Sequence, residues 1–117
     1  MNELNVVLSN GSTITIGGVD DVEAFNSDIL EVLNDHRTFL INFGGKIVSK
    51  SLIWAIVPKY EAEDSLNVQL SVGISFKVDP SKFDATKVAN DVNQERTHFI
   101  YVAGAIVPKV IIEHIMN

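Results

Sequence analysis

LNVVLSNG at residues 4–11 and LNVQLSVG at 66–73 agree at six of eight positions. This self-similarity constrains the fold more than any other feature of the chain. Sliding the sequence along itself by 59 residues lays 37–58 (RTFLINFGGKIVSKSLIWAIVP) over 96–117 (RTHFIYVAGAIVPKVIIEHIMN) without a gap, with nine of 22 positions identical. Background composition gives roughly one or two matches over such a stretch. The opening block runs at an offset of 62. The difference falls where Ile16-Gly17-Gly18-Val19-Asp20 meets Val78-Asp79, so Gly17-Gly18-Val19 reads as an insertion in the first copy. Three blocks in the same order define repeats 4–58 and 66–117 with the linker KYEAEDS at 59–65, all in one compact domain, 1–117.

Each copy predicts the same elements. Leu4–Ser9 and Leu66–Ser71 alternate as strands entering a hairpin. An odd-numbered loop pairs Leu8 with Ile14 and Val6 with Ile16, and in the second copy Leu70 with Phe76 and Val68 with Val78. This puts apolar residues on one face and leaves Asn67, Gln69, Ser71, Ser75 and Lys77 on the other. Val72 opposes a type I′ turn, which needs positive φ at both central residues. A helix follows. Asp20 opens an Asp-x-x-Glu cap, and Val22, Phe25, Ile29, Val32 and Leu33 share a face. Asp79-Pro80 offers an N-cap and a first-turn proline, with Val88 and Val92 matching Ile29 and Leu33 and Phe83 adding to that core. Thr38–Phe43 and Thr97–Val102 read as strands, then a Gly or Ala-Gly turn, a short strand (Ile47-Val48, Ile106-Val107), a lysine-containing turn and a final strand (Leu52–Val57 or Val110–Met116), counted together as one last strand broken near Ser49 or Pro108. The expected class is α+β, mainly antiparallel, a tandem ββαββ duplication. A unit of about 55 residues buries too little surface alone, so the copies are expected to pack about a pseudo-two-fold axis, with Ile29/Val88 and Ile41/Ile100 as equivalent core pairs.

The chain has no cysteine, which removes disulfides, thiolate chemistry and Cys-based zinc sites. Fifteen acids against nine bases give a net charge of −6, with the bases scattered singly. A phosphate-binding surface needs a basic patch, so direct nucleic-acid binding is disfavoured, and the acidity suits a basic partner. The longest apolar run, Leu52–Val57, is far short of a membrane span. The opening MNELNVVL lacks a signal-peptide pattern, so a cytoplasmic location is expected, and Asn10-Gly11-Ser12 reads as turn chemistry rather than a glycan acceptor.

No phosphate loop, nucleophile elbow or metalloprotease helix is present. His36 sits at a helix end, where it meets the dipole. His98 and His114 lie on strands whose first-copy counterparts are Phe39 and Ala55, so the duplication requires no ligands there. Asp20-Asp21 reads as helix N-terminal charge, and Glu61, Glu63 and Asp64 as a solvated linker. No catalytic residue, metal or cofactor is expected. Trp54 stands where the second copy has Glu113, a tryptophan replacing a carboxylate on a matched strand. An exposed Trp anchors interfaces well, while a buried one fills core, and both readings stay open. Trp54, Glu113 and His114 are the candidate contacts to a protein partner or in a homodimer.

LSNGSTITIGGVDDVEAF followed by FLINFGGKIVSKSLIWAIVP resembles the short-strand, NG-turn, single-helix style of small accessory proteins from phages and prophages of low-GC Gram-positive bacteria. That resemblance implies a non-catalytic interaction module acting in the host cytoplasm. A sharper form is an inhibitor of a nucleic-acid-binding defence enzyme, of anti-CRISPR or anti-restriction type. Shifting the repeat boundary by one strand gives βαβββ twice. That looks like the glyoxalase and bleomycin-resistance fold, which implies a ligand or metal between the copies, although no His/Glu pair recurs at equivalent positions.

Overall fold

The computed structural model describes residues 2–43, 45–60, 63–95 and 97–116. Glu61 of the linker and Arg96 of the Arg37/Arg96 match lie outside them. Among the described residues the fold is α+β with two α-helices and antiparallel sheets. The strands are β1 (Asn2–Leu8), β2 (Thr13–Val19), β3 (Leu40–Phe43), β4 (Lys46–Ser49), β5 (Ile53–Pro58), β6 (Leu66–Leu70), β7 (Ser75–Val78), β8 (Phe99–Val102), β9 (Ala105–Pro108) and β10 (Ile112–Met116). The helices are α1 (Val22–Asn34) and α2 (Ala85–Val92).

Five strands form one sheet in the order β2-β1-β5-β9-β8. Three form a second, β10-β6-β7, and β3-β4 stand as a hairpin. The five-stranded sheet lies between two cores, with the outer face of β2 (Thr13 and Thr15) open to solvent. Leu4, Val6, Leu8, Ile53, Ile56, Phe99 and Ile106 pack with Leu33 of α1 and with Ile41, Phe43 and Val48 of the β3-β4 hairpin. On the opposite side Ala55, Ile100, Val102, Ala105 and Val107 pack with Val68, Leu70 and Val78 of the small sheet and with Val88 of α2.

Local chemistry explains the elements and several departures from expectation. Both first hairpins have odd, three-residue loops. Leu8 N–H donates to Ser12 O at 2.9 Å and Gly11 takes φ +87°; Leu70 N–H donates to Ile74 O at 2.8 Å and Gly73 takes φ +88°. A turn closed by a left-handed residue favours glycine there. The register is slid by two residues from the expected one: Val6 pairs with Ile14 and Leu4 with Ile16, and Val68 with Phe76 and Leu66 with Val78. Side chains alternate with period two, so the buried face is unchanged. At Gly17-Gly18 the pairing shifts between Leu4–Ile16 and Asn2–Val19, with Gly18 at φ +72°, so the insertion forms a bulge.

Asp21, not Asp20, caps α1, its carboxylate accepting from Ala24 N–H at 3.1 Å. Val32 is 39% exposed and the buried α1 positions are Asn26 and Leu33, because Val22, Phe25, Asn26, Ile29, Leu30 and Leu33 form the 3–4–7 stripe. Asp79-Pro80 starts a 3₁₀ turn (Pro80–Lys82) rather than α2. Asp84 caps α2 through Lys87 N–H, since Phe83 leaves the helical region to pack in the core. The short strand, lysine-containing turn and final strand expected in each copy are present, the turns being 3₁₀ at Lys50–Leu52 and Lys109–Ile111, and they separate two full strands rather than interrupting one. Three strands thus follow each helix, not two.

β1 pairs with β2 and β5, and β6 pairs with β7 and β10. β5 is joined to β9 through Ile56 and Ile106. A two-fold axis would equally join β10 to β4. Among the described residues β10 pairs with β6 and β4 with β3, and no ladder joins the two.

Candidate functional site

The 3₁₀ turns are held by matching bonds. Lys50 N–H donates to Phe39 O at 2.8 Å and Lys109 N–H to His98 O at 2.9 Å, while Leu52 O accepts from Ser9 and Ile111 O from Ser71. The Lys50 ammonium reaches Asp35 O at 3.1 Å and that of Lys109 reaches Gln94 O. Each lysine thereby satisfies a carbonyl beyond a helix C-terminus, where positive charge suits the dipole. The matched lysines are therefore structural.

Between the two turns lies an apolar groove of about 370 Å³ lined by Phe39, Ile53, Trp54, Phe99, Pro108, Val110 and Ile111, with Thr38, Ser49 and Ser51 supplying polar groups. Phe39 is 76% and Val110 82% exposed. Large apolar side chains this open are uncommon on a folded surface unless they serve binding.

Trp54 owes its position to a β-bulge. Leu8 pairs with Ile53 and Val7 with Ala55, which leaves Trp54 as the extra residue. The bulge lets Ile53 and Ile56, three apart, enter one core while Ala55 enters the other. Ile112 pairs with Leu70 and His114 with Gln69, so Glu113 is the extra residue of a second bulge. Trp54 is half-buried in the groove wall and Glu113 is exposed. His114 is half-buried, and its Nδ1 is enclosed without a hydrogen-bond partner among the described residues. Only Trp54 of the three lines the groove. His36 and His98 are exposed. Phe39 and Val110 were not singled out in the sequence, where each reads as one more strand residue.

A wider cleft of about 820 Å³ gathers Glu3, Asp20, Asp21, Glu23 and Asp79 with Lys59 and Lys82. Two of its carboxylates serve the backbone: Asp21 caps α1, and Asp79 accepts from Ser81 N–H at 2.9 Å and Ser81 Oγ at 2.7 Å, which holds its carboxyl below the usual range. Tyr60 lines the cleft and donates to Asp64 O at 2.6 Å. Burial first, and then the Asp79 and Asp64 charges, push its phenol up. Among the described residues no three imidazole or carboxylate groups converge as metal ligands, and no helix is long and apolar enough to cross a membrane.

No protein-family model, no curated protein and no solved structure matches the chain.

Proposed function

We propose that the protein is a non-catalytic interaction module whose docking surface is the groove at Trp54, and that its occupant is an apolar segment of a partner protein carrying basic flanking residues. The observation that carries this reading is the open exposure of Phe39 and Val110 on either side of a half-buried tryptophan. Aromatic anchors in a desolvated pocket supply most of an interface's energy. The net charge of −6 favours a basic rather than an acidic partner.

The scaffold, in this reading, is a tandem duplication. It is supported by the shared pairings of β1 and β6, the three-residue loops at 9–11 and 71–73, the matched 3₁₀ turns Lys50–Leu52 and Lys109–Ile111 and the matched bulges at Trp54 and Glu113. β1 pairs with both β2 and β5, so these belong to one unit, which speaks against dividing the chain as βαβββ. A phage or prophage accessory protein of this kind acts in the host cytoplasm. The acidic cleft supports a second form of the reading, in which its carboxylates occupy the basic groove of a nucleic-acid-binding defence enzyme.

The test is a photo-crosslinking residue placed at Phe39 in cells, with the exposed Lys77 of β7 as control. The reading expects one partner captured from Phe39, whose purified form binds the protein and loses affinity for Val110→Ser. Equal labelling from both sites sinks it.

A further inference from the structure

The joint between β5 and β9 has two unused counterparts. Ile56 and Ile106 face each other across it, both fully buried. The positions 59 residues away, Ile115 on β10 and Ile47 on β4, carry the same side chain. Both lie on open edges: β10 ends the three-stranded sheet and β4 ends its hairpin. Ile47 is 60% exposed where Ile106 is buried, and Leu40 is 62% exposed where its counterpart Phe99 is 6% exposed.

The helices repeat the pattern. The Asn34 side chain of α1 brackets the edge of β8, accepting from His98 N–H and Phe99 N–H and donating to Phe99 O. Its counterpart at the C-cap of α2 is Asn93, again asparagine, which is exposed and whose side chain bonds to nothing among the described residues. Leu33, fully buried beside Asn34, corresponds to Val92, which is 36% exposed. One half of the chain thus grips β8-β9 with α1 and β5. In the other half α2 packs on β8 through Val88, while its C-terminal end at Val92 and Asn93 and the edge of β10 stay open, and β3-β4 lacks the clasp that holds β8-β9.

β3-β4 packs against one face of the five-stranded sheet and β10 belongs to the layer on the other. The free halves therefore do not meet within one chain. A contact of this kind is heterologous, and its open ends are complementary between copies.

We infer that the free edges bind each other in a second copy of this chain: β10 pairs antiparallel with β4 of the next molecule, Ile115 opposite Ile47, with Asn93 bracketing Leu40. The assembly grows head to tail. β10 and β6 carry His114, Met116 and Gln69 where β5 and β1 carry Ala55, Val57 and Val7. The joint between molecules is accordingly weaker than the internal one, and it lacks the linker that tethers the internal one. Self-association is concentration-dependent. It does not rest on the groove reading, since neither Trp54 nor Val110 takes part.

Sedimentation velocity across a wide concentration range tests it. The expected result is mass that rises with concentration in the wild type and stays at one chain in Ile47→Asp and in Ile115→Asp, which set like charges opposite each other wherever both meet. Mixing those two variants leaves one intact β4 and one intact β10, and restores a species of two chains and no larger. Asn93→Ala, on an exposed helix end, weakens association without touching a strand, and circular dichroism of each variant checks that it folds. A wild type that is monomeric throughout overturns the inference, as does growth that survives Ile47→Asp or a mixture that fails to dimerise. A monomer whose β4 amides resist hydrogen exchange also overturns it, by assigning the β10 edge of the same chain as the occupant.

Discussion

Asn34 accepts from the backbone N–H of Phe99 at 2.8 Å and donates to its carbonyl at 3.0 Å. One side chain thereby completes the edge of β8 from a helix in the other half of the chain. Asn34→Ala leaves both groups unpaired at a partly buried site, and is expected to destabilise the fold by about 1–3 kcal/mol. Chemical denaturation measures the loss, and faster exchange at the His98 and Phe99 amides locates it.

Ile41 is 2% exposed, on the β3 face that also carries Phe43 and that packs in one core with Leu33. Ile41→Ala leaves a cavity that the β3-β4 hairpin cannot close without moving, at a cost of about 2–5 kcal/mol. Leu40→Ala next to it, on the exposed side of the same strand, is expected to cost less than about 0.5 kcal/mol in the monomer. Equal denaturation midpoints for the two variants contradict the assigned faces of β3.

Acid acts on the end of α1. Arg37 donates through Nε and an Nη to both oxygens of Asp35, 3.1 Å each, and this bidentate bond, with the Arg37 backbone N–H, lowers the Asp35 carboxyl from 3.8 to about 2. A carboxylate more acidic folded than unfolded contributes stability above the unfolded value that is lost as pH falls through the folded one. The contribution is present above pH 3.8 and disappears on the way down to about 2. The Asp35→Asn variant is expected to show a shallower loss of stability across that window, read from urea midpoints at a series of pH values.

The apolar framework was legible in the chain because alternation reports burial directly. Leu4, Val6 and Leu8, and Val68 and Leu70, are core as their spacing implies. The register slip left no trace, since a shift of two residues keeps every side chain on its face. Asn26, fully buried with its amide donating to Gly104 O, was hidden by its polarity: periodicity counts apolar residues, and the bond that admits Asn26 to the core joins residues 78 apart. The Trp54 bulge did leave a signal. Ile53 and Ile56 stand three apart in a strand, which period two cannot bury together without an extra residue between them. Phe39 and Val110 gave none, because their exposure is set by where the 3₁₀ turns leave the strands.

Trp54 is the single tryptophan of the chain and lies in the wall of the proposed docking groove, so its fluorescence reports the groove alone. Its bulge position accepts a carboxylate in the matching bulge at Glu113. Trp54→Glu is therefore expected to keep the cooperative unfolding transition while abolishing partner binding. The most direct measurement follows the wild-type emission as the partner captured at Phe39 is titrated in. In the isolated protein iodide should quench Trp54 readily, and at saturation the emission should shift to the blue and lose its access to iodide. Saturable binding that leaves both the emission and its quenching unchanged would contradict the account, because the partner would then sit elsewhere.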